Sequence, residues 1–447
     1  MNIKHTNNKL VGITISMLVV GTLVVANVLF TMFTHKHIWS QNDVYDSRIA
    51  SSFIKANVNA KRGTIYDRNY TVIAQEIKAY TIVAYLDTSI VDEDGKADYV
   101  KDTKKTAKKL AKVLDLDKDT LQATLDRAID ANLTQTELGA GTKRLDKETM
   151  EKVDALNLPG IHFIDAVNRS YPVTPYSSNL IGFASYDEDE QKIVGKMGLE
   201  STLNYVLSGK DGLKAYQRTI YGDILPGTEI IYEQAEDGNN VVLTLDSNLQ
   251  TTVESAMKET MLLNNAKRAW CIVMECETGN ILAWASYPTF DQNTHEEIPN
   301  YTDNISEMSY EPGSVMKTFT YATALDTGVF PENTKYRAGQ FDYGYDPNTG
   351  KINRVDGIET GYPTIRDALG NDYGTLTFED GFAHSSNVGI CELLANYIQY
   401  KQFDKYLDKF GFFQTVDAPF ISEVTGWKSL DIPMGYLSSG LGQASSI

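Results

Sequence analysis

The chain has 447 residues, 42% of them hydrophobic and 22% charged, the composition of a globular protein with room for about three domains. Its 41 Lys and Arg against 59 Asp and Glu give a formal net charge of −18. That balance excludes nucleic acid as a partner, because nucleic-acid binding needs a basic face, and it leaves peptides and sugars open.

In chain order, the first element is Leu10–Phe33, 24 residues without a charge. At 1.5 Å per residue such a helix reaches about 36 Å, enough for a hydrocarbon core of about 30 Å. A signal peptide would have a shorter apolar core and a small-residue cleavage site. Here the chain runs on through Thr34-His-Lys-His-Ile-Trp39, so the segment reads as an uncleaved anchor with Trp39 near the interface. Lys4 and Lys9 on one side and Lys36 and Arg48 on the other leave its orientation undecided by charge. Residues 40–240 read as one extended non-catalytic region. In it, strand-like runs such as Tyr80–Tyr85 alternate with polar turns, and a Lys-rich helix over Tyr99–Leu116 precedes a second helix, Leu121–Asn132. The charge runs there predict solvated helix faces, and Arg62, Asp67 and Arg68 predict structural ion pairs.

From Asn240 the pattern changes. Val241–Leu245 predicts a strand, with Asp246 or Ser247 capping a helix over Leu249–Leu263. Trp270–Glu275 and Ile281–Tyr287 predict a hairpin turned by Cys276-Glu-Thr-Gly-Asn280. A helix then opens at Ser314 and ends near Asp326-Thr-Gly328, and Thr377-Phe-Glu-Asp380 is a capping box for another. Strands followed by helices make this an α+β domain, a helical cluster on an antiparallel sheet. Cys271, Cys276 and Cys391 form no disulfide framework or metal cluster and are expected to be buried thiols.

The chemistry is carried by Glu311-Pro-Gly-Ser314-Val-Met-Lys317. Residues i and i+3 share a helix face, so the Lys317 amine can take the Ser314 proton and the serine can attack a carbonyl. S-x-x-K also occurs at Ser52 and Ser255, and S-x-N at Ser40, Ser177 and Ser385. Context separates the copies. Ser255 lies inside a helical run, Ser52 just past the apolar segment, and only Ser314 follows Pro-Gly and opens a helix. His384 beside Ser385 points away from it on a helix and predicts packing or solvent exposure. His35 and His37 lack further ligands, and His295-Glu-Glu297 lacks a second histidine, so neither metal nor cofactor is expected.

These segments resemble the class B penicillin-binding proteins, membrane-anchored transpeptidases of bacterial wall synthesis, and among them the division type of Gram-positive bacteria. The matching stretches are Arg62–Asn69, Arg169–Pro172, Gly198–Glu200, Lys210–Leu213, Thr278–Ala283, Glu311–Lys317 and Gly381–Gly389, which contains Ser385-Ser386-Asn387. The departure is the end. Gly435–Ile447 resembles the family's Gly-Gln-Gly turn region with Ala444 at its second glycine, and no K-[ST]-G follows, so the expectation is a C-terminally truncated copy. The resemblance implies a cytoplasmic tail (1–9), an anchor (10–33), a β-rich pedestal or dimerisation-type domain (40–240) and an incomplete transpeptidase domain (241–447), with the bulk outside the cell.

It further implies a D-Ala-D-Ala stem peptide as acyl donor, an amine of a neighbouring stem as acceptor, β-lactams as covalent ligands, and a membrane glycan polymerase and division proteins as partners. Ser314 would be the nucleophile and Lys317 its base. Ser385 would relay a proton to the leaving amine, and Asn387 would hold the substrate amide and Lys317. The Ser314 N–H would be half of an oxyanion hole. Two other readings remain: a non-catalytic scaffold of a wall-synthesis complex, and a β-lactam-hydrolysing or sensing relative.

Overall fold

A computed structural model describes residues 3–34, 36, 53–217, 225–294 and 298–447. The expectations for His35, His37, Trp39, Ser40, Arg48, Ser52 and His295–Glu297 fall outside the described residues. Helix α1 (Ile3–Thr34) contains the apolar span; Val11–Thr34 has a mean hydropathy of 2.3 and is not buried against the rest of the described chain. It is one helix long and apolar enough to cross a membrane.

The next region is built on strands β1 (Phe53–Val58), β2 (Ile65–Tyr66), β3 (Val72–Tyr85), β4 (Gln135–Glu137), β5 (Ile161–Ser170), β6 (Ala184–Asp187), β7 (Lys192–Gly195), β8 (Gly212–Gln217), β9 (Ile230–Glu233) and β10 (Val241–Val242). Strand β3 pairs antiparallel with β5 from Gln75↔Ser170 to Ala84↔Ile161, and β1, β8 and β9 form a separate antiparallel sheet. Helices α2 (Thr103–Leu114), α3 (Lys118–Asp130) and α4 (Lys147–Asp154) lie beside β3. Each has an aspartate cap (Asp102, Asp117 and Asp146) taking a backbone N–H of the first turn. Their apolar sides close over Ile82 and Ala84 with Leu110, Leu121, Leu125 and Val153. The α2 helix starts later than its lysine run because Asp102 sets the cap.

The predicted strand at Val241–Leu245 is shorter than expected. Only β10 is regular, and it runs parallel to β2. Beyond it Leu243 N–H bonds Tyr66 O and Leu245 O accepts from Arg68 N, while both leucines turn into a core with Ile65, Tyr176, Leu199 and Trp284. That core joins the strand region to the C-terminal part. Arg62 makes the predicted ion pair, but Asp67 and Arg68 make none among the described residues. The Asp67 carboxylate instead accepts the N–H groups of Asn69, Thr71 and Ser247, holding a turn.

Helix α5 (Ser247–Asn264), capped by Asp246, packs on the hairpin of β11 (Ala269–Met274) and β12 (Ile281–Tyr287). Here the cysteine expectation fails for two of three. Cys276 is exposed in the hairpin turn, and Cys271 is half-buried on β11, whose outer side carries exposed Ile272 and Met274; Cys391 is buried. The last core is a helical cluster: α6 (Met316–Asp326), α7 (Phe378–Ala383), α8 (Asn387–Asn396), α9 (Tyr400–Lys409) and α10 (Pro433–Gly440). Tyr321, Val388, Ile390, Leu393, Phe403 and Leu437 fill it. Short two-stranded ribbons flank it: β13 (Lys335–Arg337) with β18 (Thr375–Thr377), β14 (Gln340–Phe341) with β17 (Ile365–Arg366), and β15 (Tyr343–Asp346) with β16 (Lys351–Arg354).

Candidate active site

Ser314 lies in a single 3-10 turn, Gly313–Val315, that runs directly into α6. Proline and a glycine at φ +62° set the entry angle. The loop ahead of it is held by the chain's last described residues. Gly313 N–H donates to Gly442 O at 2.9 Å, Tyr310 and Ile447 exchange backbone bonds, and Glu311 Oε1 takes Ala444 N–H at 2.7 Å. A Cβ on Gly442 would lie 1.9 Å from Gly313 O, so only glycine permits this approach. Ala444 sits at φ +62°, which explains why a glycine suits that position. Ser314 is exposed, whereas Lys317, one turn on, is 3% exposed because it shares the inward side of α6 with Met316, Thr320 and Tyr321.

The second segment is set by helix ends. Thr377 and Asp380 form the predicted capping box of α7. The chain leaves α7 through Ser385 at φ +54°, and Ser386 then caps α8 by accepting from Gly389 N–H. This tight exit turns Ser385 and Asn387 toward α6. Lys317 Nζ donates to Ser385 O at 2.6 Å, to Ser385 Oγ at 3.1 Å and to Asn387 Oδ1 at 2.6 Å. Asn387 Nδ2 donates to Arg366 O at 2.7 Å, which fixes the amide so that its oxygen faces the lysine. Burial pulls the Lys317 ammonium below the ordinary lysine range, partly offset by the charge of Asp367. The Cys391 thiol is pushed up by burial and stays protonated.

Lys317, Ser385 and Asn387 therefore form one hydrogen-bonded cluster, with Ser314 on the adjoining turn. No hydrogen bond joins Ser314 Oγ to Lys317 among the described residues, and none of their backbone acceptors takes the Ser314 N–H. The two other copies among the described residues, Ser255 and Ser177, do not join them. Ser255 is exposed along α5, and Ser177 is buried, donating its hydroxyl to Trp284 O at 2.6 Å. His384 is exposed and stacks on Tyr373, centroids 4.6 Å apart, within the expected packing or solvent role. Sequence reasoning missed Asp367, whose buried carboxylate holds the start of α8. Its bonding partners are 19 to 28 residues away, and Asp367-Ala-Leu-Gly carries no motif. No group of three or more potential metal-binding side chains occurs among the described residues.

An amine withdrawn from water, held between a hydroxyl and an amide and next to an exposed serine at a helix start, can take a hydroxyl proton and hand it on. Residues 57–243 match the penicillin-binding protein dimerisation domain, and residues 269–446 match the penicillin-binding protein transpeptidase domain. The chain belongs to the class B penicillin-binding proteins. It is 30% identical over 262 residues to penicillin-binding protein PbpB of Mycolicibacterium smegmatis, covering 58% of this chain and 37% of that one. It is 27% identical over 369 residues to stage V sporulation protein D of Bacillus subtilis, covering 82% and 52%. The chain thus spans about half the length, or less, of these curated relatives. Among solved structures it resembles penicillin-binding protein 2X of Streptococcus thermophilus, with a TM-score of 0.63, 29% identity, and coverage of 88% of this chain and 57% of that one.

Proposed function

We propose that this chain is a peptidoglycan D,D-transpeptidase working through an acyl-enzyme on Ser314, and that β-lactams trap the same serine. Neutral Lys317 accepts the Ser314 proton as Oγ bonds the penultimate D-Ala carbonyl of a stem peptide. The C–N bond to the terminal D-Ala breaks, and its nitrogen leaves with a proton passed from Lys317 through Ser385. The amine of a neighbouring stem then attacks the ester, its proton returns to Ser314, and the cross-link is released. In a β-lactam the broken C–N bond is in a ring, so the leaving nitrogen stays tethered and the ester persists. The unengaged Ser314 N–H supports its role as one donor to the developing oxyanion.

The observation that carries the reading is the set of bonds around Lys317. Two of its three acceptors, Ser385 O and Asn387 Oδ1, can only accept, and each lies 2.6 Å from Nζ and holds one of its hydrogens. The third, Ser385 Oγ at 3.1 Å, is a hydroxyl that can reverse and donate once the amine is neutral. That reversal is what a proton relay needs. The same reading takes 10–33 as the anchor with a cytoplasmic N-terminus, 40–240 as the pedestal and 241–447 as transpeptidase domain outside the cell. Its partners are a membrane glycan polymerase and division proteins. Labelling with a fluorescent penicillin tests it: Ser314→Ala abolishes the covalent label and Ser255→Ala keeps it. A label that survives Ser314→Ala refutes the assignment, and a wild-type chain that is never labelled favours the scaffold reading.

A further inference from the structure

Behind the Lys317 cluster lies a group that no motif marks. Asp367 follows β17 and is 2% exposed. Its Oδ1 takes three donors from the start of α8: Asn387 N–H at 2.6 Å, Ser386 Oγ–H at 2.9 Å and Val388 N–H at 3.1 Å. Its Oδ2 takes Gly339 N–H at 3.0 Å, from the turn between β13 and β14. The neighbouring carbonyl, Arg366 O, holds Asn387 Nδ2. Two consecutive residues therefore fix both the backbone and the amide plane of Asn387, and with them the partners of Lys317.

A carboxylate at a helix N-terminus is stabilised by unpaired N–H groups and the helix dipole, which hold Asp367 without a cation touching it. No ion pair includes it among the described residues. The titratable groups acting on Lys317 are Asp367, from the end of β17, and the Cys391 thiol, from α8, which burial keeps neutral. Asp367 is thus the carboxylate whose charge acts on the Lys317 amine, and no hydrogen bond joins the two among the described residues.

We infer that Asp367 is a positioning residue for the Ser314 reaction. It locks the Ser385–Asn387 segment and supplies the negative charge that the Lys317 ammonium faces. Through the segment it sets where the amine sits; through its charge it sets how readily the amine gives up a proton. The inference rests on the Ser314 reading above.

The test measures penicillin acylation rates from mildly acid to alkaline pH for wild type, Asp367→Asn and Asp367→Glu. Asp367→Asn keeps the Oδ1 acceptor and so three of four hydrogen bonds, but removes the charge. Its ascending limb moves to lower pH, because an ammonium without a facing negative charge deprotonates more easily. Its plateau falls about tenfold to a hundredfold as the segment loosens. Asp367→Glu keeps the charge and displaces it by a methylene, so the plateau falls while the limb stays in place. A plateau lowered in both variants with neither limb moved makes Asp367 merely structural and overturns the inference, as does an unchanged Asn variant. If Asp367→Asn does not fold, by circular dichroism, the Glu variant decides: a limb moved to lower pH there overturns the inference. Failure of both to fold also overturns it, because the role is then in folding. A wild-type chain that takes up no penicillin at any pH refutes the Ser314 reading itself.

Discussion

The dimerisation domain buries two arginines and the transpeptidase domain buries Lys317, and they do so in opposite ways. In the dimerisation domain, Arg62 donates twice to Glu200 Oε2, at 2.9 and 2.7 Å, and Arg169 donates to Glu200 Oε1 at 2.7 Å. Asn204, Ser208 and the Gly63 carbonyl take further guanidinium hydrogens, and Tyr171 adds its hydroxyl to Glu200. The cluster ties β2's entry, the end of β5 and the short helix Gly198–Thr202 into one node. Around Lys317 every bonding partner is neutral, and the carboxylate stands one residue back. Burial lowers Arg62 as well, against the pull of Glu200, but a guanidinium keeps its proton from so high a starting value, and the node holds its geometry. A buried amine among neutral acceptors holds its geometry but gives up its proton more easily.

The largest effect expected from this contrast is in rate. Lys317→Arg replaces a titratable amine with a guanidinium that stays protonated, so acylation slows about 10²–10⁴-fold while the chain stays folded. A retained rate, read by stopped-flow labelling, would break the contrast at its centre. In the dimerisation domain the effect falls on stability. Glu200→Gln leaves two buried guanidinium groups facing a neutral amide and costs about 3–5 kcal/mol, read by urea unfolding. The fraction still folded should acylate at an unchanged rate; a lost rate with intact stability would mean that the node serves the chemistry.

A third effect sharpens the contrast through pH. The folded-state pKa of Lys317 is depressed below its unfolded value by burial. Between the two values the unfolded chain binds more protons, so this group's penalty is full below the folded value and is relieved as pH rises toward the ordinary lysine range. Lys317→Met should therefore be neutral or stabilising at neutral pH and should flatten the alkaline rise of stability, measured by melting across pH. The smallest effect is at Ala444, at φ +62° beside Glu311. Ala444→Gly should raise stability by less than about 1 kcal/mol, since relief of the left-handed strain is offset by glycine's extra freedom when unfolded. A lower melting temperature would contradict this.

The sequence carried what is local. Pro312-Gly313 marked the start of the Ser314 turn, Thr377 and Asp380 marked a cap, and the hairpin at Cys276–Asn280 followed from its turn residues, because each signal and its consequence lie within a few residues. It did not carry what closes over distance. Arg62 meets Glu200 138 residues later, and Asp367 reaches Ser386 19 residues on, with nothing in either stretch to name the partner. The cysteines misled for the same reason: whether Cys271 and Cys276 are covered depends on what packs over β11, not on β11. The strand at Val241–Leu245 shortened because two of its leucines serve a core shared with Trp284. Nor does S-x-x-K spacing tell that Lys317 bonds Ser385 and Asn387 rather than Ser314.

The most direct measurement is the titration of Lys317 itself, by side-chain NMR of isotopically labelled lysines, with Lys317→Arg identifying its signal. Lys409 and Lys428, whose partners Asp326, Asp404 and Asp408 raise their proton affinity, serve as internal references. Lys317 should lose its proton at a lower pH than either. A Lys317 that titrates with them or above them would contradict the account, because an amine that holds its proton that firmly cannot take one from Ser314.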